Sequence, residues 1–124
     1  MGTNSGVNPR VARDAAHRDS VEITDQDLVN ALVDKLGSKL VVFISGKGGT
    51  AVSRWKGGSR PVPEEVGTKL RLVYQIFTLL ESRESDQTIR AWFIGINPQL
   101  DDVSPAEAVQ EGRLKDAMIA ARAF

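Results

Sequence analysis

The sequence contains no cysteine and only one histidine, His17. Without cysteine the chain can form no disulfide, no thiolate metal site and no cysteine nucleophile. A single histidine in a polar N-terminal stretch cannot build a histidine-centred metal site. It also cannot supply the Ser-His triad of the common hydrolases within this chain. We therefore expect a protein that is not an enzyme and that needs no metal or other cofactor.

Net charge and long apolar runs are missing as well. Sixteen basic residues balance sixteen acidic ones, which gives a formal net charge of zero at pH 7. Binding to nucleic acid would therefore depend on local clusters of basic residues rather than on overall attraction. No stretch approaches the roughly 18 apolar residues of a membrane span, and the N-terminus lacks the apolar segment of a signal peptide. We expect a cytoplasmic protein that does not enter membranes.

Helical periodicity and capping residues dominate what is present, and they predict an all-α fold in three parts. Residues 1–22 are rich in Gly, Asn, Ser, Arg and Asp without a sustained period, which is typical of a flexible arm. Residues 23–83 are predicted to form a helix-turn-helix domain with a long helix. Residues 84–124 are predicted to form a small C-terminal helical domain. The first helix should begin after the Thr24 cap and end at Gly37.

The apolar run SKLVVFIS, residues 38–45, suits a buried strand as well as a buried helix. We predict a helix, because the sequence offers no second strand with which it could pair. Three glycines between residues 46 and 49 then supply a turn, and residues 50–56 form a short helix. A helix, a glycine-containing turn and a short helix in this order are the layout of a helix-turn-helix.

Local basic charge supports DNA binding by this segment, because residues 46–60 carry four basic side chains and no acid. In a helix-turn-helix the start of the second helix enters the major groove, which gives four candidates: Thr50, Ala51, Ser53 and Arg54. Phosphate contacts are expected from Lys47, Lys56 and Arg60. The alternative is a solvated basic loop on a helical domain that does not bind DNA.

The long helix is predicted to begin after Pro63, to extend to about Arg83 and to be apolar on two faces. One face carries Val66, Leu70, Val73, Phe77 and Leu80, and the other carries Leu72, Ile76 and Leu79. A helix that is apolar on two faces must be covered on both. The cover of the second face is either the C-terminal domain or a second subunit. We predict a homodimer whose interface contains Leu72, Ile76 and Leu79.

Residues 90–124 carry a dense series of helix start and stop signals. Ser104 and Glu107 have the S-x-x-E spacing of a capping box, and Pro105 occupies the first helical position. Gly112 is placed to end that helix in a left-handed conformation. The resulting helix is about two turns long, so it must be held by its neighbours.

The order of motifs in this region resembles the C-terminal domain of the Xre/MbcA/ParS-like antitoxins. The resemblance rests on Trp92, Asn97-Pro98, Leu100, Pro105, Ala106-Glu107 and Gly112, followed by a short Ala-rich helix. It implies an antitoxin that neutralises a RES-type, NAD-degrading toxin and represses the shared operon by binding operator DNA. The positions that match the toxin-contacting surface of the family are Arg113, Lys115, Asp116, Arg122 and Phe124. The alternative function is a stand-alone helix-turn-helix regulator, of phage or chromosomal origin, without a toxin partner.

Overall fold

Helices make up most of residues 23–124, the part of the chain that the computed structural model describes. The elements are α1 Asp25–Leu36, α2 Ser38–Ser45, α3 Gly49–Gly57, α4 Glu64–Glu81, α5 Asp86–Ile94, a 3-10 helix Pro98–Leu100, α6 Pro105–Gln110 and α7 Leu114–Arg122. Within this range the only extended pairing is an isolated bridge between Asn97 and Val103. The predicted all-α class is thus confirmed for residues 23–124. The predicted arm, residues 1–22, lies outside the described residues.

The ambiguous apolar run forms a helix, α2, as predicted. It follows α1 directly, because Gly37 adopts a φ of 91° that ends one helix and lets the chain change direction. Val41 and Ile44 are fully buried, whereas Phe43 is 43% exposed. This one-sided burial at a spacing of three residues matches a helix and not a strand.

The turn between α2 and α3 is fixed by Ser45, the buried polar residue of the described core. Its hydroxyl donates to the Val42 carbonyl at 2.9 Å and accepts from the Lys47 N–H at 3.1 Å. Gly46 supplies the left-handed residue that the turn requires, with φ 73°. The Ser45 hydroxyl and the left-handed Gly46 therefore both help to position Lys47 and the start of α3.

Ser45→Ala is expected to lower the free energy of unfolding by about 1–2 kcal/mol, because the Lys47 N–H and the Val42 carbonyl both lose this partner. Urea denaturation followed by circular dichroism measures the change. Ser53→Ala is the matched control, since Ser53 is exposed on α3, and it should stay within about 0.5 kcal/mol of wild type. Equal stability of the two variants would show that Ser45 does not hold the turn.

The C-terminal end of α3 is tied to α1 by two amide side chains. Gln26 and Asn30 both donate to the Lys56 carbonyl, at 3.0 and 3.1 Å. On the inner face of α3, Val52 and Trp55 are buried in the core, with 1% and 4% of their surface exposed. The helix is therefore held on one side and leaves its other side on the protein surface.

The long helix α4 is the centre of the fold and packs against α1, α2, α5, α6 and α7. Its first predicted face is fully buried at Val66, Leu70, Val73, Phe77 and Leu80. On the second face Ile76 is also fully buried, while Leu72 and Leu79 remain partly exposed. Other helices of the same chain therefore already cover part of this face, at Ile76. Ile76 belongs to the core, so only Leu72 and Leu79 keep surface for the predicted dimer interface.

The two predicted domains, residues 23–83 and 84–124, share one hydrophobic cluster that runs from α1 to α7. Side-chain hydrogen bonds also link them, among them one from Arg83 to the Phe124 carbonyl at 3.4 Å. Arg90 donates to the Lys35 carbonyl at 2.9 Å, and Gln110 donates to the Phe43 carbonyl at 3.1 Å. Surfaces on α3 and α7 are therefore parts of one packed body.

Candidate functional site

The outward side of α3 carries three of the four residues predicted to face DNA bases. Thr50, Ser53 and Arg54 are exposed and lie on one side of the helix at i, i+3, i+4 spacing. We call these three residues the α3 face. Ala51 is only partly exposed and lies toward the buried side. The packing of Val52 and Trp55 on that side determines which residues form the α3 face.

Three of the four basic residues of this segment line the same groove. Lys47 comes from the turn, Arg54 from α3 and Arg60 from the segment after α3, and all three border a groove of about 330 Å³. We call it the basic groove; Trp55 and Pro61 also line it. Lys56 does not line this groove, although it is exposed and close in sequence. The structure therefore separates Lys56 from the other three cations.

An acidic side chain reaches the basic groove from α4. The Glu65 carboxylate lies 3.9 Å from the Lys47 ammonium, and the two side chains are 71% and 45% exposed. The count of charges over residues 46–60 missed this acid because it belongs to the next helix. The local surface is thus less basic than the sequence segment alone suggests.

Arg113, one of the predicted toxin contacts, is engaged within its own chain. Its guanidinium donates to the Leu100 carbonyl at 3.3 Å and pairs with Asp101 at 3.0 Å and Asp116 at 3.2 Å. The hydrogen bond to Asp116, assisted by the charge of Asp101, raises the pKa of Arg113 above its ordinary value. Arg113 and Asp116 therefore join the 3-10 helix to the start of α7, and both are already paired within the chain.

The loop that Arg113 holds has an unusual backbone. Asp101 and Asp102 both adopt left-handed conformations, with φ 57° and 65°. Asparagine and aspartate tolerate this region better than other non-glycine residues, but it still costs free energy. Asn97 closes the loop by accepting from the Gln99 N–H at 2.9 Å and donating its own N–H to Val103 at 3.1 Å. The Asp-Asp pair therefore serves the turn geometry.

The predicted ends of α6 are confirmed. The Ser104 hydroxyl accepts from the Glu107 N–H at 3.0 Å. Gly112 has a φ of 86°. The Gly112 N–H donates to the Val109 carbonyl at 2.9 Å. The Arg113 N–H donates to the Ala108 carbonyl at 2.8 Å. This pair of hydrogen bonds is the Schellman motif, which fixes the direction in which α7 leaves α6.

The outward side of α7 carries Lys115, Ile119 and Arg122 at i, i+4, i+7 spacing, and all three are exposed. We call them the α7 face. Ile119 is 51% exposed, whereas Ala117, Ala120 and Ala121 bury the opposite side. Lys115 and Arg122 were predicted from the sequence, but Ile119 was not. Its position four residues after Lys115 was the signal that could have identified it.

Phe124, the last of the predicted toxin contacts, packs against Trp92 of the same chain and stays half exposed. Its ring centroid lies 6.0 Å from that of Trp92, and its carbonyl accepts from Arg83 at 3.4 Å. The side chain is 47% exposed. Phe124 thus presents one side of an aromatic ring, two residues beyond Arg122.

Three exposed apolar side chains, those of Phe43, Ile94 and Ile96, are not among the predicted site residues. Phe43 and Ile94 border a groove of about 490 Å³ beside the junction of α1 and α2. Ile94 and Ile96 are 64% and 76% exposed. Exposed isoleucine is therefore not confined to α7, which provides matched positions for testing the α7 face.

Residues 23–124 show neither a candidate metal cluster nor a helix that could span a membrane. Among residues 23–124 no group of three or more His, Asp or Glu residues is arranged to hold a metal ion. No helix in this range is long and apolar enough to cross a membrane. Comparison of the chain with protein-family models, curated proteins and solved structures finds no significant match.

Proposed function

We propose that this chain is an antitoxin with two binding surfaces. The α7 face binds a RES-type, NAD-degrading toxin, and the α3 face binds operator DNA and represses the shared operon. The observation that carries the proposal is the α7 face itself: an exposed isoleucine between two exposed cations, on the region whose motifs resemble the antitoxin family. Apolar and Arg side chains that become desolvated together are typical anchors of protein interfaces.

Rigid presentation of α7 supports this proposal. The Schellman motif at Gly112 and the ion pairs of Arg113 fix both the direction and the first turn of the helix. Three buried alanines then let α7 pack closely on the core. A surface that is ordered before binding loses less conformational entropy when a partner binds. Arg113 and Asp116 thus contribute by positioning Lys115, Ile119 and Arg122.

DNA binding is the second half of the proposal. The helix α3 is short, follows a three-residue turn after α2, and is held against α1 by Gln26 and Asn30. Its α3 face is free of core contacts and suits the major groove, as expected of a recognition helix. We propose a homodimer as the binding species, because twofold symmetry lets two such helices meet two half-sites. Leu72 and Leu79 are its remaining candidate interface residues.

Arg54→Ala and Lys56→Ala are expected to weaken DNA binding in different ways. Arg54 lies on the α3 face, so its loss should reduce affinity for the operator by about 10- to 100-fold while sparing unrelated sequences. Lys56 is expected to contact phosphate, so its loss should weaken binding about evenly across sequences. Fluorescence anisotropy with the upstream region of the operon and with an unrelated duplex measures both. An equal loss on both duplexes for Arg54→Ala would contradict base contact by the α3 face.

The second candidate function is a stand-alone regulator that binds DNA through the same α3 face. It is favoured by one observation: the α3 face and the basic groove are built from residues 47–63 and need no toxin. The neighbouring reading frame distinguishes the two functions. An adjacent RES-type toxin gene supports the antitoxin, and its absence supports the stand-alone regulator.

A further inference from the structure

The basic groove brings together cations from three different backbone segments. Lys47 lies in the turn before α3, Arg54 lies in α3, and Arg60 lies in the extended segment after it. Trp55 and Pro61 add apolar surface to its walls. An anion in this groove would be held by Lys and Arg side chains, which are the usual ligands of phosphate.

We propose that the basic groove binds one phosphate of the DNA backbone, and that Glu65 weakens DNA binding by pairing with Lys47 in the free protein. This inference rests on the DNA-binding half of the proposed function. It assigns Lys47 and Arg60 to a common phosphate and places Arg54 at the boundary between that phosphate and the bases. It also assigns Glu65 a role as an internal competitor of DNA.

The charges around the groove favour an incoming phosphate. The side chains that line the groove are basic or apolar, and the acid that reaches one of them is Glu65 on α4. Arg60 also borders a second groove, which contains Asp25. The Asp25 carboxylate pairs with Arg71 at 2.6 Å, however, so Asp25 already has its own cation. Arg60 is therefore not required to neutralise Asp25.

The Lys47–Glu65 pair is of the kind that a phosphate can replace. Its separation of 3.9 Å and the exposure of both side chains leave it solvated, and such pairs contribute little free energy. A DNA phosphate held by Lys47 and Arg60 gains more, because its binding also releases condensed counterions. Binding must first break the Lys47–Glu65 pair, and the small free energy of that pair is lost from the affinity.

Glu65→Gln is therefore expected to bind duplex DNA about threefold more tightly than wild type, the effect of removing one exposed ion pair. Fluorescence anisotropy with a mixed-sequence duplex over a range of salt concentrations measures this gain. A gain in affinity cannot come from unfolding. Glu64→Gln is the matched control, since Glu64 is the neighbouring exposed acid in the first turn of α4, and it should leave affinity unchanged.

Lys47→Gln identifies the cation through which Glu65 acts. This variant should bind more weakly, and its log–log salt dependence should be shallower by about 0.9, the value for one phosphate contact. In the Lys47→Gln background, Glu65→Gln should give no further gain. A gain that persists there, or an equal gain from Glu64→Gln, would mean general charge repulsion and would overturn the inference.

The outcomes also separate this inference from the proposed function. If wild type binds duplex DNA but Glu65→Gln leaves the affinity unchanged, the proposed competition between Glu65 and a phosphate is wrong, while DNA binding stands. If wild type binds no duplex even at low salt, the DNA-binding half of the proposed function fails and the inference fails with it. Tighter binding by Glu65→Gln, without a gain for Glu64→Gln, supports both DNA binding and the inference.

Discussion

Ile119→Asp is expected to weaken toxin binding by at least about 30-fold, which corresponds to about 2 kcal/mol, the cost typical of an interface hot spot. Ile119 is the apolar centre of the α7 face, between Lys115 and Arg122. An aspartate there removes the apolar contact and places a charge where water must be excluded. Titration calorimetry with the purified adjacent toxin measures the loss, and co-expression should show failed neutralisation.

The fold should survive this change, because the Ile119 side chain is 51% exposed. Ile96→Asp is the matched control: it makes the same replacement at an isoleucine that is 76% exposed and lies outside the α7 face. It should bind the toxin like wild type. If Ile96→Asp abolished binding and Ile119→Asp did not, the toxin-binding surface would lie near the end of α5 instead of on α7.

Ile76→Asp is expected to lower the free energy of unfolding by about 4 kcal/mol or more, a large fraction of the stability of an ordinary domain. Ile76 has no exposed surface, so its aspartate would be either a buried charge or a buried acid without an assigned partner. Thermal denaturation followed by circular dichroism measures this change. A variant with wild-type stability would contradict the packing of α4.

Leu72→Asp is the control on the same helix, because Leu72 is only partly buried. It should cost less stability than Ile76→Asp. It also tests the homodimer, since Leu72 keeps surface on the second face of α4. Light scattering should show a dimer for wild type and a smaller species for Leu72→Asp. A wild-type monomer at micromolar concentration would contradict the homodimer.

Local signals in the sequence predicted the elements of residues 23–124 well. The caps at Thr24 and Ser104 each accept the expected backbone N–H. Gly112 ends α6 with a positive φ as expected. These features depend on residues only a few positions apart, so a single sequence contains enough information to predict them.

Long-range contacts were the part that the sequence did not reveal. Arg113 was predicted as a toxin contact, but its partners Leu100 and Asp101 lie across a loop and become neighbours only when the chain folds. Glu65 likewise reaches Lys47 from another helix. Periodicity can show that a helix has two apolar faces, but it cannot show that the same chain covers Ile76. Partner choice and burial are properties of the packed molecule.

The most direct test of the central claim is co-expression of the wild-type chain with the RES-type toxin of the adjacent reading frame, with cellular NAD as the measured quantity. The proposed function predicts that NAD stays near the level of cells without toxin and that growth is restored. Ile119→Asp at equal soluble expression should leave NAD depleted. Unchanged NAD depletion with the wild-type chain, while both proteins are soluble, would contradict the antitoxin function and leave the DNA-binding regulator.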